Sequence, residues 1–263
     1  MKKHFLFTSI AATLTVIACT PADDAKACYT TNEPDLAIQH CTRAIGSGQL
    51  TNEKLANAFL HRGIAWSSKH AFDTAIADYD EAIRLAPHAR AFNNRGIAWR
   101  DKGEHDKALA DFSEAIRLAP EAALPFYNRG LSWSDKKDFD KAIADFSEAI
   151  RIDPQGADTL NNRGAAWLDK KDFDMAIADF NEAIRLQPHF ARAFKNRGVA
   201  WHDKKDFDKA IADYNEAIRI APRYAEAFFS RGNAWRAKGD NDKALADHEE
   251  ANRLCRISRC PGH

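Results

Sequence analysis

The sequence repeats itself about every 34 residues, a period that is typical of stacked supersecondary units sharing one long core. The dipeptide Arg-Gly marks each unit and recurs at a nearly constant spacing. All six tryptophans stand at the fourth position after the arginine of such a dipeptide. We therefore do not expect a single globular core around a catalytic pocket. The six dipeptides begin at Arg62, Arg95, Arg129, Arg163, Arg197 and Arg231.

One unit, residues 191–224, shows what the repeat encodes when its first residue is counted as position 1. The small residues Gly198 and Ala210 stand at positions 8 and 20, and the large residues Trp201 and Tyr214 stand at positions 11 and 24. Small residues let two antiparallel helices approach each other closely, and large ones fill the space between them. The unit therefore predicts a helical hairpin.

The ends of the two helices can be predicted from individual residues. Asp206 can cap the second helix, because an aspartate at this place accepts hydrogen bonds from unpaired backbone N–H groups. Pro222, at position 32, cannot continue that helix and ends it. We expect helix A over about 191–204 and helix B over about 207–220.

This unit resembles the tetratricopeptide repeat (TPR), with the pattern W-x2-L-G-x2-Y, then A-x3-F, then P. The resemblance implies an all-α fold, a right-handed superhelix of antiparallel helix pairs. One departure is systematic, because position 7 holds arginine where the family usually holds leucine. Six units fit, and each opens with alanine: 56–88, 89–122, 123–156, 157–190, 191–224 and 225–258.

Aspartate occupies position 23 in every unit, just as arginine occupies position 7. A partly buried charge needs a partner of opposite sign. We therefore expect each arginine to pair with an aspartate between helix A and helix B, as part of the scaffold. The aspartates are Asp78, Asp111, Asp145, Asp179, Asp213 and Asp247.

The N-terminal segment, 1–22, has the pattern of a targeting signal. Two lysines precede an apolar stretch over 5–18, which is shorter than the roughly 20 residues that a membrane-spanning helix needs. Residues 16–19 resemble a bacterial lipobox, in which Cys19 would be lipidated and would anchor the protein to a membrane. The alternative is ordinary cleavage after Ala22 or Ala27. Both predict export, to the periplasm or to a membrane surface that faces it.

Four cysteines remain besides the lipobox cysteine: Cys28, Cys41, Cys255 and Cys260. An even number in an exported chain indicates disulfides, and four cysteines allow three connectivities. Residues 23–55 resemble a degenerate capping unit in which Cys28 takes position 11 and Cys41 position 24, the two positions that face each other across a helix pair. This register predicts a Cys28–Cys41 bridge worth about 3 kcal/mol in the chain-entropy model. Cys255 and Cys260 would then pair. Metal binding is the alternative, although no Cys-x-x-Cys spacing supports it.

The last unit departs from the pattern in the way a terminal repeat should. It carries His248 at position 24 and Asn252 at position 28, where other units carry an aromatic residue and isoleucine. A terminal repeat needs a more polar outer face. We expect this unit to be a cap, followed by a tail over 259–263.

The charge and the motifs exclude several classes of function. The chain has 38 basic and 38 acidic residues and no basic stripe, so nucleic acid is not an expected partner. It contains no glycine-rich phosphate loop, no His-Glu-x-x-His motif and no Gly-x-Ser-x-Gly motif. We therefore expect no catalytic residues, no cofactor and no metal site, and we interpret the protein as not being an enzyme.

A row of amides marks a candidate binding surface. In the TPR architecture helix A lines the concave face, and positions 2, 5, 6, 9, 12 and 13 lie on one side of it. The row resembles the asparagine ladder of the repeat domain of O-linked N-acetylglucosamine transferase, in which amides bond the backbone of an extended peptide. An amide suits this task because it offers both a donor and an acceptor. The alternative is that the asparagines bond within the solenoid. They stand at position 6: Asn94, Asn128, Asn162 and Asn196.

These observations predict an exported scaffold that binds an extended peptide or protein segment in the concave groove. Aspartates at position 13 would favour a segment with some basic residues, unless they are simply solvated helix ends. The alternative function is that of a lipid-anchored structural component of an envelope assembly, which would use the convex or edge surfaces. Any contact with a membrane would be made through a lipid anchor alone, and simple secretion would leave none.

Overall fold

A computed structural model of the protein describes residues 20–258. Over these residues the chain is all-α, with fourteen helices in consecutive antiparallel pairs and no strand. The predicted signal segment with Cys19, as well as Cys260 and the tail, lie outside the described residues. The chain divides into two compact parts, Met1–Ala86 and Pro87–His263, which we describe separately.

The first part contains four described helices. The pair α1–α2 occupies the predicted capping unit, and α3–α4 forms the first full repeat unit. Helices α1 and α2 both pack against α3. The bounds are Pro21–Thr30 for α1, Pro34–Gly46 for α2, Asn52–Ser68 for α3 and Phe72–Leu85 for α4.

The second part contains five helix pairs over its described residues. Each odd-numbered helix is a helix A and each even-numbered one is a helix B. Every helix B except α14 packs against its own helix A and against the helix A that follows. The bounds are Ala89–Asp101 (α5), His105–Leu118 (α6), Ala123–Asp135 (α7), Phe139–Ile152 (α8), Ala157–Asp169 (α9), Phe173–Leu186 (α10), Ala191–Asp203 (α11), Phe207–Ile220 (α12), Ala225–Ala237 (α13) and Asn241–Ser258 (α14).

The close approach of helices A and B explains the glycine of each unit. A Cβ atom built on Gly164 would lie 2.7 Å from Cε1 of Phe180, whose ring is fully buried. The same relation, within 2.6–2.7 Å, holds between Gly198 and Tyr214 and in the other units. The glycine at position 8 and the aromatic residue at position 24 therefore form one packing unit.

Helix B begins at the predicted cap. Asp206 accepts a hydrogen bond from the backbone N–H of Lys209 at 3.2 Å, and Asp138 and Asp172 cap their helices in the same way. This bond satisfies one of the N–H groups that the first helical turn leaves unpaired. The predicted ends of both helices in this unit agree with α11 and α12 to within one residue.

The helix pair α1–α2 is closed by a disulfide bond between Cys28 and Cys41, the pairing that the repeat register predicts. Both cysteines are buried, and they pack against Ala58 of α3. Cys255 lies half-buried in α14, and its predicted partner falls outside the described residues, so that second bridge stays a prediction.

Two further results concern the described helices. Between residues 20 and 258, no helix is both long and apolar enough to cross a membrane. Within the same stretch, no three histidine, cysteine or acidic side chains come together as a metal site would require.

Candidate functional site on the A helices

The candidate binding surface consists of positions 2, 5, 6, 9, 12 and 13 of α5, α7, α9, α11 and α13. We call this surface the A-helix face. Each helix A contributes one rung, so the same position recurs from unit to unit along the second part of the chain. What this surface offers to a partner depends on how rigidly neighbouring rungs are held, and on which polar groups the scaffold already uses.

Arginine at position 7 and aspartate at position 23 form a two-pronged ion pair, as the sequence predicts. In the unit with α9 and α10, Arg163 Nε lies 2.8 Å from Asp179 Oδ2, and Nη2 lies 2.7 Å from Oδ1. Asp179 is buried, so the arginine supplies the partner that its charge requires. The prediction is confirmed in all six units by the pairs Arg62–Asp78, Arg95–Asp111, Arg129–Asp145, Arg163–Asp179, Arg197–Asp213 and Arg231–Asp247.

The same arginine also reaches the preceding unit. Arg163 Nη1 donates to Ser147 Oγ at 3.0 Å, and Arg197 Nη1 donates to Asn181 Oδ1 at 2.6 Å. Each of these arginines therefore spans two consecutive B helices. Sequence reasoning missed these acceptors at position 25, although the recurrence of serine and asparagine there is a visible signal.

A second set of ion pairs joins consecutive units at their turns. Lysine at position 14 of one unit pairs with aspartate at position 18 of the unit before it. Lysine at position 19 lies over the tryptophan ring of its own unit, 4.3 Å from the ring centroid in the case of Lys209 and Trp201. The scaffold therefore uses most of the charges that the repeat carries. The turn pairs in the second part are Lys136–Asp106, Lys170–Asp140, Lys204–Asp174 and Lys238–Asp208.

The predicted asparagine row takes part in hydrogen bonds between units. Asn128 Nδ2 donates to Asn93 Oδ1 at 2.9 Å, and Asn196 Nδ2 donates to Asn161 Oδ1 at 3.0 Å. In both cases the amide at position 6 reaches position 5 of the preceding unit. Asn128 is only 4% exposed, so its amide faces the scaffold.

The remaining members of the row extend these links. Asn162 Nδ2 donates to the hydroxyl of Tyr127 at 3.0 Å, and Asn161 Nδ2 lies 3.3 Å from Asn162 Oδ1. Asn94 Oδ1 lies 3.5 Å from Asn93 Nδ2. All four predicted amides thus bond within the array, as the alternative interpretation expected. The sequence pointed to position 5 only as part of the face, and not as the partner of position 6.

Burial affects the tyrosine at the centre of this network. It raises the pKa of Tyr127, and the nearby Asp158 carboxylate acts in the same direction. The phenol therefore stays protonated over the physiological range, and its O–H can both accept from Asn162 and donate to another group.

An apolar row runs beside the amides at position 9. Four consecutive units carry a half-buried aliphatic residue there: Ile97, Leu131, Ala165 and Val199. Leu124, at position 2 of α7, is 56% exposed and lies about two helical turns before Leu131 on the same side of the helix. Asn94, Asn162 and Asn196 are themselves half-buried. The A-helix face therefore combines an apolar strip over four rungs with partly accessible amides on three of them.

Charged side chains at positions 2 and 5 of the face form ion pairs between neighbouring rungs. Arg192 Nη2 lies 2.7 Å from Asp158 Oδ1, and Lys195 Nζ lies 3.2 Å from Glu226 Oε2, each pair joining neighbouring rungs. The aspartates at position 13 are exposed, and the partial desolvation of Asp169 raises the pKa of its carboxyl group above the usual value. Position 9 carries no charged side chain in any of these five helices.

The tetratricopeptide repeat model matches residues 89–121, 123–155, 157–190 and 191–224. The protein belongs to the tetratricopeptide repeat family. The units that begin at Ala56 and Ala225 lie outside the matched residues, yet each folds as a helix pair with the same ion pair. No curated protein matches the sequence.

Several solved structures are similar to this one. YrrB, described as a TPR protein with an unusual peptide-binding site, is 24% identical over 71% of this chain and 95% of its own, with a TM-score of 0.58. PilF of Pseudomonas aeruginosa is 16% identical over 77% and 93%, with a TM-score of 0.68. A TPR protein from Parabacteroides merdae is 16% identical over 89% and 91%, with a TM-score of 0.70. At these identities the likeness concerns the fold.

Proposed function

We propose that this protein is an interaction scaffold that binds an extended peptide or protein segment along the A-helix face, and that it catalyses no reaction itself. The observation that carries the proposal is the pairing of an apolar strip at position 9 over four consecutive rungs with half-buried amides at position 6 on three of them. Extended chains offer side chains and backbone groups in regular alternation, and such a surface can receive both. The similarity to YrrB, which has a peptide-binding site, supports the proposal by analogy.

The amides can serve this role because the scaffold uses only part of their bonding capacity. An asparagine side chain has two N–H groups and an oxygen with two lone pairs. Asn196 commits one N–H to Asn161, and Asn162 commits one N–H and one acceptor position. The bonds between rungs also fix the amide orientation before binding, which lowers the entropy lost when a peptide is bound. Asn128 is buried and would act by holding Asn93 in place.

A pair of matched variants tests which face is used. Ala165 lies half-buried at position 9 of the A-helix face, and Ala178 lies exposed on α10 in the same unit. We expect Ala165→Glu to weaken partner binding at least about tenfold, because it places a charge on the apolar strip. Ala178→Glu introduces the same side chain into a helix of the same unit and should leave binding unchanged.

The measurement is affinity capture from the native host with quantitative mass spectrometry, after circular dichroism shows equal helicity for the two variants. A partner that is retained by Ala178→Glu and lost with Ala165→Glu supports the A-helix face. A partner that is lost only with Ala178→Glu would overturn this proposal and favour the structural component that uses the B-helix surface. A second variant, Asn162→Ala with Asn196→Ala, tests whether the amides contribute beyond the apolar strip.

We also propose that the protein is exported and that Cys19 anchors it to a membrane through lipid. The buried disulfide between Cys28 and Cys41 supports export, because such bonds persist in oxidising compartments. Intact mass measurement of the protein from its host tests both points. A mature chain that begins at residue 19 with added lipid mass supports the anchor, whereas a chain that begins after Ala22 or Ala27 supports simple secretion.

A further inference from the structure

The last B helix, α14, carries an exposed leucine where every other B helix of the second part carries a buried residue. Leu245 occupies position 21 and is 61% exposed. At the same position, the side chains of α6, α8, α10 and α12 are 6–8% exposed. Within residues 20–258, α14 packs only against α13. The four buried equivalents are Leu109, Ile143, Ile177 and Ile211.

The joint between α12 and α13 shows what covers position 21 elsewhere. Ile211 packs in one cluster with Ala234 and the ring of Trp235. A basic residue lies on either side of this apolar contact, one within α13 and one directly after its last residue. Both basic residues have an acceptor on α12, so the joint combines one apolar contact with two polar ones.

The two polar contacts have clear geometry. Arg231 Nη1 donates to Asn215 Oδ1 at 2.6 Å, and Lys238 pairs with Asp208. Arg231 lies within α13 and Lys238 directly follows its last residue, so the two stand at i and i+7, about two helical turns from each other on the same side. Helix A therefore recognises helix B with a fixed pattern: arginine, a small residue three positions later, a large apolar residue at four, and lysine at seven.

Helix α14 repeats the three positions that this pattern recognises. Asp242 replaces Asp208, Leu245 replaces Ile211, and Glu249 replaces Asn215. Asp242, Leu245 and Glu249 are all exposed. Their spacing of three and four places them on one face of the helix. Glu249 carries a full charge where α12 has an amide, so an arginine would be held by a charge-assisted hydrogen bond.

We propose that this face of α14 docks an α-helix of a partner protein that carries arginine, a small residue, a large apolar residue and lysine at positions i, i+3, i+4 and i+7. The charge pattern argues against a second copy of this chain that stacks through its first helix. Asp24 of α1 stands at position 7, where the pattern has arginine. Thr31 stands at position 14, where the pattern has lysine, and carries no charge. Asp24 would also meet Glu249, which is of the same charge. Helices α7, α9, α11 and α13 also carry this pattern, but each of them already packs against the helix B that precedes it.

This face of α14 is a different surface from the A-helix face, so a result for one proposed binding site does not decide the other. The probe is a synthetic peptide of residues 223–240, acetylated, amidated and dye-labelled, which contains α13 and its flanks. Isolated helices shorter than about 12–15 residues are marginal in water, and this peptide exceeds that length, so it can form helix transiently. Binding to the full chain is measured by fluorescence anisotropy.

We expect saturable binding to the unchanged protein. Leu245→Asp should abolish it, and Glu249→Arg should weaken it at least about tenfold. A peptide that carries R231E should regain at least half of that lost affinity for the Glu249→Arg protein, which would tie the effect to this one charge pair. Met175→Asp changes another exposed apolar residue, 43% exposed on α10, and should leave binding unchanged.

Three results would overturn the proposal. One is the absence of saturable binding up to millimolar peptide. Another is equal binding by Leu245→Asp and the unchanged protein, at equal helicity by circular dichroism. The third is a concentration-dependent dimer in sedimentation experiments that Leu245→Asp abolishes, because the face would then belong to a second copy of this chain.

Discussion

The helix pair α1–α2 and the repeat pairs of α5–α14 have the same topology but are held together by different chemistry. In the repeat pairs, a glycine at position 8 admits a ring at position 24, as Gly164 does for Phe180. In α1–α2, positions 11 and 24 are joined by the Cys28–Cys41 bond. A short pair with few large side chains buries little apolar surface, and a covalent link compensates for that.

The ion pair is reversed between the same two regions. In α1–α2, Asp24 stands at position 7, where the repeat units have arginine, and His40 stands at position 23, where they have aspartate. Asp24 Oδ1 lies 2.7 Å from His40 Nδ1 and 3.0 Å from Arg43 Nε. In both regions an acidic side chain on one helix therefore bonds a basic side chain on the other, and the acidic residue can lie on either helix.

The largest effect is expected from breaking the ion pair in a repeat unit. Arg163→Met leaves Asp179 buried without its partner and should lower the free energy of unfolding by about 3–5 kcal/mol. Urea denaturation measures this. The double variant with Asp179→Leu should recover most of the loss, since a buried pair can be replaced by apolar residues of similar volume.

The corresponding change in the first helix pair sharpens the comparison. His40→Gln should cost far less, because Arg43 still bonds the Asp24 carboxylate. A loss as large as that caused by Arg163→Met would contradict the view that two bases share this acid.

Removal of the disulfide is expected to have the next largest effect. Replacing Cys28 and Cys41 by serine should cost about 3 kcal/mol, confined to α1–α2. Hydrogen exchange followed by mass spectrometry checks this, since amide protection should fall over residues 21–46 and remain over 89–258. A loss of protection that spreads through the array would show that the pair does more than close the end of the chain.

A glycine comparison separates packing from chain flexibility. Gly164→Ala should destabilise the array by about 1–3 kcal/mol, because its Cβ would lie 2.7 Å from the buried ring of Phe180. Gly46→Ala, at the end of α2, meets no atom within 4 Å and should be neutral or stabilise by up to about 1 kcal/mol. Thermal unfolding of the two variants measures the difference, and equal melting temperatures would contradict the packing account.

The smallest effect is a dependence on pH that is confined to the first helix pair. The hydrogen bond from Arg43, with a further one from His40, holds the pKa of Asp24 below its usual value of 3.8. A lowered pKa in the folded state stabilises the pair above the unfolded pKa, and this stability is lost as the pH falls below about 3.8. Amide exchange in α1–α2 should accelerate over that range. Asp24→Asn should remove the contribution of this residue, and an unchanged profile would show that other carboxyl groups dominate.

The sequence predicts those features that depend on one position repeated in register. The arginine–aspartate pairs and the Cys28–Cys41 bond follow from the period, because each needs only the knowledge that two positions face each other, and the helix bounds follow from the cap and the proline that recur with it. The fate of the asparagine row could not be predicted in this way. Whether Asn128 points to solvent or to Asn93 depends on the rotation of one side chain, and helical spacing allows both. The exposure of Leu245 likewise depends on which helices pack beside α14.

The arginine that spans two B helices gives the joints of the array the same chemistry. Arg129 reaches Ser113, and Arg231 reaches Asn215, so a hydroxyl or an amide serves equally well as the acceptor. If recombination removed or duplicated one whole unit, the new joint between units would have the same contacts as the existing joints. The length of such a protein can therefore change in evolution in steps of one unit, while the local contacts that hold it together stay the same.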